Sequence, residues 1–466
     1  MGQGGQGGLR LRYDLLIDGG KVVTPEAVFA ANIAVREGRI VAFLDPGEKP
    51  DAKRIIDAGN HHVLPGAIDV HAHFRDPALP EREDFISGSS AAAAGGVTTI
   101  IEMPTSDPPV NSADTLRHRM ERVAGKSLVD YAFYGGAGHE NLAEIPKMAA
   151  AGAVGFKTFL SKPMPKGQQI YRFNGLWCTE ATLYEVMQAV ADTGRVHSIH
   201  CEHVAMVDHF ERKMKEAGRT DGLAWGLSRP PMAENAATAV VLAVAVEVQG
   251  KTHIAHVSTP YSASMVANAR AHGVDVTAET CPQYLFLDET ALRDYGSWAK
   301  CNPPVRSPMS VAQLWERVRE GDVDILATDH SPHPAGEREQ DIFAAPSGVP
   351  CLDLVMPLML DAVNRDQLSL SRLAALTAEA PARRFGLDRK GKIALGYDAD
   401  LVVVDLDARW AFDWRRAFTK SRERMQVYHQ RSLKGRVLRS LVRGHEVYRE
   451  CEIVAEPGWG RLLTSI

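Results

Sequence analysis

Two histidines separated by one residue end an apolar run in the first part of the chain, Gly66-Ala-Ile-Asp-Val-His-Ala-His73. Residues two positions apart on a β-strand point to the same side, so His71 and His73 could bind one metal ion from one strand end. Imidazole nitrogen is a common ligand of zinc and similar cations. The alternative is a pair of histidines that are only hydrogen-bonded within a core. This pair alone leaves both interpretations open.

Later strand-like segments each carry one more residue of a ligand type. His200, His256 and Asp329 end three such segments, and Lys157 lies inside the apolar run Gly155-Phe-Lys-Thr-Phe159. A lysine is rarely buried without a partner. Either the Lys157 side chain snorkels to the surface, or it carries a carboxylate from CO₂ that would bridge two cations. All these residues in this order favour a metal site more strongly than any one of them.

The elements that must position these residues alternate between strand and helix. From about 61 to 385, β-branched runs such as Thr98–Ile101 and Val323–Ala327 alternate with helical stretches such as Ala181–Asp192 and Asn235–Val248. This alternation indicates a parallel α/β architecture, either a barrel or a doubly wound sheet. In a (β/α)₈ barrel, side chains at the C-terminal strand ends meet at the active-site face.

Both ends of the chain have the composition of short strands. Asn32–Arg36 and Ile40–Leu44 flank a glycine turn and predict a hairpin. Because chain termini often lie close in space, residues 13–60 and 386–450 are expected to form one small β domain around the 61–385 catalytic domain. Residues 1–12 and 451–466 are expected to be tails.

The composition narrows the possible partners. The chain has 466 residues, of which 45% are hydrophobic, and a net charge of −5, so no nucleic acid partner is expected. We see no apolar run of about 18 residues and therefore expect no membrane span. The start lacks the apolar core of a signal peptide, and the cysteines lack CxxC spacing, which favours free thiols and a cytoplasmic location. The cysteines are Cys178, Cys201, Cys281, Cys301, Cys351 and Cys451.

From about Tyr13 to Tyr448, the chain resembles the amidohydrolase superfamily, in its cyclic-amidase branch of dihydroorotases, allantoinases and dihydropyrimidinases (hydantoinases). The resemblance implies a (β/α)₈ TIM barrel with a small β-sandwich, and hydrolysis of a non-peptide C–N bond in a cyclic amide. The motifs are Pro65-Gly-Ala-Ile-Asp-Val-His-Ala-His73, Gly95-Gly-Val-Thr-Thr99, Gly155-Phe-Lys157, Ser228-Arg-Pro230, His256-Val-Ser-Thr259, Glu279-Thr-Cys-Pro282, Asn302-Pro-Pro304 and Thr328-Asp-His-Ser-Pro-His333.

The resemblance also implies a site with two divalent cations, usually zinc. His71 and His73 would bind the more buried ion, and His200 and His256 the more exposed one. Lys157, carboxylated by CO₂, would bridge both ions, which would favour its negative charge.

Asp329 would bind the first ion and act as general base. Two close cations make water a nucleophile near neutral pH. Asp329 would accept the proton and return it to the leaving nitrogen.

Three further residues bear on which ring is opened. Arg75 completes a His-x-His-x-Arg pattern similar to that of dihydroorotases, in which the arginine grips the substrate carboxylate. Asn302 and His333 also match dihydroorotase substrate contacts. The alternative for Arg75 is an ion pair with a neighbouring carboxylate. The candidates are Asp76, Glu81 and Glu83.

Other segments point away from a dihydroorotase. The run Met103-Pro-Thr-Ser106 has Thr105 where dihydroorotases usually have a substrate-binding asparagine. Ser228-Arg-Pro-Pro231 and Ala299-Lys-Cys-Asn-Pro-Pro304 resemble allantoinases in layout. The tyrosine of hydantoinases is missing at Ser161-Lys-Pro163, and Tyr171 could replace it only from a mobile loop.

Two loops are expected on the active-site face. Leu160 to Thr179 has no clear period and is expected to close over substrate and set specificity. Ser347 to Pro350 could offer backbone groups to an amide edge, although a plain turn explains this segment equally well.

Two hypotheses follow. The first is a hydrolase of a cyclic amide, either dihydroorotase-like with a carboxylated substrate or an allantoinase or other hydantoinase-type amidase. The second is a non-catalytic scaffold of the same family, which would be expected to have lost metal ligands that this chain keeps. The resemblance implies a small-molecule substrate and a homo-oligomer, either dimer or tetramer.

Overall fold

The computed structural model describes residues 13–59, 61–160, 175–334, 336 and 341–464. The strands are β1 (Tyr13–Asp18), β2 (Lys21–Val23), β3 (Val28–Ala30), β4 (Asn32–Arg36), β5 (Arg39–Leu44), β6 (Ala52–Asp57), β7 (His62–Pro65), β8 (Ala67–Ala72), β9 (Val97–Glu102), β10 (Asp130–Gly136), β11 (Gly155–Leu160), β12 (Trp177–Cys178), β13 (Val196–His200), β14 (Thr252–Ile254), β15 (Val276–Thr280), β16 (Ile325–Leu326), β17 (Leu401–Ala411), β18 (Ser432–Val442), β19 (His445–Arg449) and β20 (Glu452–Ile453).

A parallel sheet forms the centre of the protein, in the order β8-β9-β10-β11-β13-β14-β15-β16, with β12 added beside β11. A parallel bridge between Ala72 and His330 brings the last strand segment back to the first. The strands are buried along their length, as expected for a sheet covered on both faces. The predicted (β/α)₈ barrel is therefore confirmed.

Helices between the barrel strands begin at residues suited to helix starts. Thr259 and Ser307 accept hydrogen bonds from the backbone N–H three residues later, and a proline follows each of them. The helices are α1 (Phe85–Ala94), α2 (Ala113–Val123), α3 (Ile145–Ala150), α4 (Leu183–Ala191), α5 (Val204–Glu216), α6 (Gly222–Ser228), α7 (Pro231–Val248), α8 (Pro260–Ala271), α9 (Pro282–Phe286), α10 (Glu289–Tyr295), α11 (Pro308–Glu320), α12 (Val355–Asn364), α13 (Leu370–Ala374) and α14 (Ala380–Phe385).

The two chain ends form two further sheets, ordered β5-β4-β1-β6 and β20-β19-β18-β17-β7-β2-β3. The predicted hairpin is present as β4 and β5. β7 pairs antiparallel with β17, which joins the N-terminal and C-terminal parts in one sheet. Side chains from both ends, including Leu15, Val63 and Leu441, share one buried core. The small β-domain built from both ends is thus present.

The boundaries of this β-domain differ from those expected. β7 extends the sheet past residue 60. We expected a tail from residue 451, but β20 pairs with β19, and Leu462 forms a bridge with Tyr131 of the barrel. The composition of residues 451–466 does not indicate that their backbone pairs with β19 and with the barrel. The tail expected at 1–12 lies outside the described residues.

One helical stretch, Gly222–Val248, is long and apolar enough by length and composition alone to cross a membrane, although we expected no such segment. In the structure, Arg229 and Pro230 separate it into α6 and α7. Ala237, Val241 and Ala245 of α7 are buried in the main core, so one face of this helix packs on the barrel. Alanine and valine serve this packing and also raise the hydropathy.

A buried ion network joins the barrel to the β-domain. Lys390 Nζ lies 2.5 Å from Asp130, 3.0 Å from Asp398 and 2.7 Å from Asp400. Arg443 also contacts Asp130. The three carboxylates are close enough together to hold a cation. The ammonium of Lys390 supplies that charge, so the network is an intramolecular clamp.

We expect Lys390→Met to lower the free energy of unfolding by about 3–5 kcal/mol, because it leaves buried carboxylates without their cation. Urea unfolding measures the loss. The matched control is Lys392→Met, which removes a half-exposed lysine paired with Glu379 at 2.7 Å and should change stability by less than about 1 kcal/mol. Equal, small changes in both variants would contradict the clamp.

Candidate active site

Three of the predicted ligands meet at the junction of the first and last barrel strands. Asp329 Oδ1 lies 3.3 Å from His71 Nε2 and 3.1 Å from His73 Nε2. The ligand atoms of these three residues lie within 4.8 Å of one another, so they could hold a metal ion. His71 is the next-to-last residue of β8, and Asp329 follows β16. Both residues therefore lie at the C-terminal ends of their strands.

The other two predicted histidine ligands face each other beside this group. His200, the last residue of β13, has its Nδ1 3.0 Å from Nε2 of His256, which follows β14. The ring of His256 also lies 5.2 Å from that of His71, measured between centroids. His256 and Asp329 both have positive φ angles, +38° and +46°, so the chain turns sharply where each residue leaves its strand.

Three of the four histidines are fixed through the ring nitrogen that faces away from this space. His71 Nδ1 contacts Glu279, His73 Nδ1 lies 2.6 Å from Thr105 Oγ1, and His200 Nε2 lies 3.0 Å from Glu202. Metal-binding histidines typically hold an outer partner in this way, which fixes the tautomer and the ring orientation. Glu279, Thr105 and Glu202 therefore hold these three rings from the side away from the candidate metal site.

The protonation states suit metal binding. Burial lowers the pKa values of His71, His73 and His256, so these rings are neutral at neutral pH. A neutral imidazole is the form that binds a metal. Burial alone would raise the pKa of Glu279, but His71 and His253 hold it well below its usual value.

Lys157 is fully buried among these residues. Its Nζ makes no hydrogen bond within the described part of the chain. Burial lowers its pKa to about 8, against the opposing charges of Glu279 and Asp329. A lowered pKa increases the share of free amine at neutral pH, and the free amine is the form that reacts with CO₂. A buried, reactive amine without a polar partner fits the predicted carboxylation better than the snorkelling alternative.

The donor set as a whole fits divalent cations. Imidazole and carboxylate are preferred by zinc and related ions. After burial, the positive charge of Lys157 is a further cause that lowers the pKa values of His71, His73 and His256. The structure thus brings His71, His73 and Asp329 within ligand distance of one another and places the His200–His256 pair beside them, whereas the roles of all six residues as ligands stay a prediction.

Asp69 fixes the segment that carries Asp329. Asp69 Oδ1 accepts hydrogen bonds from the backbone N–H of His71 at 3.0 Å and of Thr328 at 3.1 Å, and its Oδ2 contacts the Thr328 hydroxyl. Burial raises the pKa of Asp69 to about 6 and also raises that of Asp329. A raised pKa brings Asp329 closer to the range in which a group can accept and return protons at neutral pH.

Arg75 is buried at the edge of the site. Its guanidinium donates to Thr105 Oγ1 at 3.2 Å and to Ser331 Oγ at 2.9 Å. Two of the alternative ion-pair partners bind other groups, since Asp76 lies 2.8 Å from Lys126 and Glu83 lies 3.2 Å from His330. Arg75 thus lies next to His73 through their shared contact, Thr105.

Asn302 and His333 meet at Ser347. Ser347 Oγ donates to Asn302 Oδ1 at 3.3 Å, and the Ser347 carbonyl lies 3.1 Å from His333 Nε2. Arg82 donates to His333 Nδ1 at 3.0 Å, so the ring proton must be on Nε2 and is donated to Ser347. Ser347 therefore connects two residues that were predicted to contact substrate. The sequence allowed this segment to be a turn without such contacts.

Several residues of this site were missed by sequence reasoning. Glu279 lies inside the largely buried strand β15, whose sequence Val-Thr-Ala-Glu-Thr280 indicates a buried charge less clearly than the apolar run around Lys157 does. Glu234 accepts hydrogen bonds from the backbone N–H groups of Ser258 and Thr259, and so holds the loop after His256. No pattern in the sequence indicates this contact, because Glu234 belongs to a helix.

The loop expected to cover the site falls largely outside the described residues. Ser161, Lys162, Pro163 and Tyr171, on which the hydantoinase comparison depended, all lie in that part.

Comparisons with known proteins agree with this geometry. The sequence profile of the amidohydrolase family matches residues 62–430. The chain is 36% identical over 455 residues to an allantoinase of Solibacter usitatus, covering 97% of this chain and 96% of that protein. It is 33% identical over 458 residues to an L-hydantoinase of Paenarthrobacter aurescens, covering 97% and 98%.

Solved structures show the same relationship. An L-hydantoinase (dihydropyrimidinase) from Arthrobacter aurescens superposes with a TM-score of 0.92 at 33% identity, covering 97% of this chain and all of that one (100%). A D-hydantoinase superposes with a TM-score of 0.86 at 25% identity, covering 96% and 98%. The predicted resemblance is confirmed: the chain belongs to the amidohydrolase family.

Proposed function

We propose that this chain is an enzyme that hydrolyses a C–N bond in a cyclic amide, using two divalent cations held at the C-terminal face of the barrel. The observation that carries the proposal is the convergence of four histidines and Asp329 at the ends of four strands, beside the buried Lys157 of β11, whose Nζ has no hydrogen bond within the described residues. We propose zinc as the metal and a carboxylated Lys157 as the bridge between the ions. The retained ligand set argues against a non-catalytic scaffold.

We assign the metal-binding and proton-transfer roles to different residues of the site. His71 and His73 would hold one ion with Asp329, and His200 and His256 would hold the other. Cations bound there would supply Lewis acidity for the attacking water and the amide carbonyl. Asp329 accepts the proton of the attacking water and delivers it to the ring nitrogen as the C–N bond breaks. Burial of the site strengthens these electrostatic contacts.

The substrate class we favour is a five-membered cyclic ureide, such as allantoin or a substituted hydantoin. The named relatives, an allantoinase and an L-hydantoinase, match almost the whole chain. Thr105 replaces the amide expected of a dihydroorotase, and the Arg75 guanidinium already binds Thr105 and Ser331. A dihydroorotase-like activity is the second candidate, because the buried Arg75 beside His73 could bind a substrate carboxylate.

A substrate panel tests the proposal. The metal-loaded protein is assayed with allantoin, hydantoin, dihydrouracil and dihydroorotate, and we expect allantoin or hydantoin to have the highest kcat/KM. Best turnover of dihydroorotate would reverse the order of the two candidates. No ring opening of any of the four would count against the enzyme hypothesis as stated.

Replacing Arg75 separates its two possible roles. If it binds a substrate carboxylate, Arg75→Ala should lower kcat/KM for dihydroorotate by about 10–100-fold more than for uncharged hydantoin, because a charged hydrogen bond is lost. An equal loss on both substrates would show that Arg75 acts by holding Thr105 and Ser331. Lys126→Ala, which removes a half-buried cation paired with Asp76, is the control and should not discriminate between the substrates.

A further inference from the structure

The carboxylate of Glu279 contacts both halves of the candidate site but belongs to neither set of proposed ligands. It lies in β15, a strand that contributes none of those ligands, and it is fully buried. One oxygen, Oε1, contacts His71 Nδ1 and accepts the backbone N–H of His256 at 3.1 Å. The other, Oε2, lies 2.9 Å from His253 Nε2.

The contact with His71 determines which nitrogen faces the site. A carboxylate only accepts hydrogen bonds, so the ring proton of His71 must be on Nδ1. The lone pair of Nε2 then points toward Asp329, 3.3 Å away. A carboxylate in this position also makes the imidazole a stronger donor to a cation.

The contact with His256 acts on the backbone. His256 has a left-handed conformation, with φ +38°, which a histidine rarely adopts without support. Glu279 binds its N–H, while Glu234 binds those of Ser258 and Thr259. These bonds hold the turn that places His256 Nε2 3.0 Å from His200 Nδ1.

We infer that Glu279 is a positioning residue shared by both proposed cations, fixing one ligand of each. The inference rests on the proposed two-cation site. Because a single oxygen serves His71 and His256, a change at Glu279 moves ligands of both ions together. Its negative charge also offsets part of the positive charge that two cations would bring into the core.

Two substitutions separate geometry from charge. In Glu279→Gln, the amide oxygen can still accept from His71 and His256, while its NH₂ group donates to His253. His253 can change tautomer, because its Nδ1 lies 2.8 Å from the Thr277 hydroxyl, which can donate or accept. Glu279→Gln thus loses the charge and keeps the contacts, whereas Glu279→Ala loses both.

The measurement is zinc affinity for each ion, by competition with a chelating dye, together with ions per chain by elemental analysis. We expect the affinity for both zinc ions to fall, by about 10-fold in Glu279→Gln and by about 100-fold or more in Glu279→Ala. The control is Glu446→Gln, the same change at a buried glutamate paired with Arg439 in the distal sheet, which should lower only Tm.

The outcomes are distinct. Wild-type zinc affinity in both Glu279 variants would overturn the inference, and so would the selective loss of one ion. If Glu279→Ala does not fold, Glu279→Gln alone decides between these results. If the wild-type chain itself binds no divalent ion, the proposed function fails, whatever the variants do.

Discussion

Asp329→Asn is expected to lower kcat by about 10³-fold on the substrate that the wild-type chain opens fastest, because the amide cannot accept a proton. The amide keeps the shape of the side chain and one oxygen toward His71 and His73, which lie 3.3 Å and 3.1 Å from Oδ1. The fold should therefore be retained. Steady-state kinetics with matched circular dichroism spectra measure the effect.

The control for this variant is Asp322→Asn. Asp322 precedes β16 at the opposite end of the barrel and lies 3.1 Å from Arg317. The same chemical change there should leave kcat within about twofold, since surface pairs contribute little. Wild-type turnover in Asp329→Asn would remove the general base from the mechanism.

Lys157→Ala is expected to reduce kcat by about 10³-fold or more and to lower the number of bound ions. A bridging carboxylate on Lys157 would account for several kcal/mol of electrostatic stabilisation, and each 1.4 kcal/mol corresponds to about tenfold in rate. Truncation also leaves a space lined by the remaining ligands. Added acetate or propionate could fill it and should restore part of the activity.

Two observations check this interpretation of Lys157. The intact wild-type protein should show the mass of one added CO₂ in native mass spectrometry, and Lys157→Ala should not. Lys147→Ala, at an exposed lysine paired with Glu144, should retain both activity and metal. Full metal content and turnover in Lys157→Ala would contradict the bridging role.

The barrel could be predicted because its determinants are local. Apolar runs such as that ending at His71 signal buried strands, and a parallel sheet needs the helices found between them. The strand bounds were less accurate: His256 was expected at the end of a strand, but β14 ends at Ile254. The turn at His256 ends it early, and such turns depend on tertiary contacts like that of Glu279.

The convergence of the candidate ligands could be predicted, but the residues that hydrogen-bond to them could not. His71 and His73 share a strand face, and that alternation is visible in the sequence. In the sequence, Thr105 was notable only because it replaces the asparagine usual in dihydroorotases. In the structure, its hydroxyl contacts both His73 and Arg75. Thr105 follows β9, whereas His73 and Arg75 follow β8. Which side chains meet between two neighbouring strand ends depends on the fold and could not be predicted from the sequence.

The measurement that tests the two-cation account most directly is a zinc titration of metal-free protein, followed by the rate of ring opening of allantoin or hydantoin. The account predicts no turnover without metal and a linear rise that ends at about two equivalents per chain, as expected for a binuclear site. Full turnover in chelator-treated protein, or a rise complete at one equivalent, would contradict it.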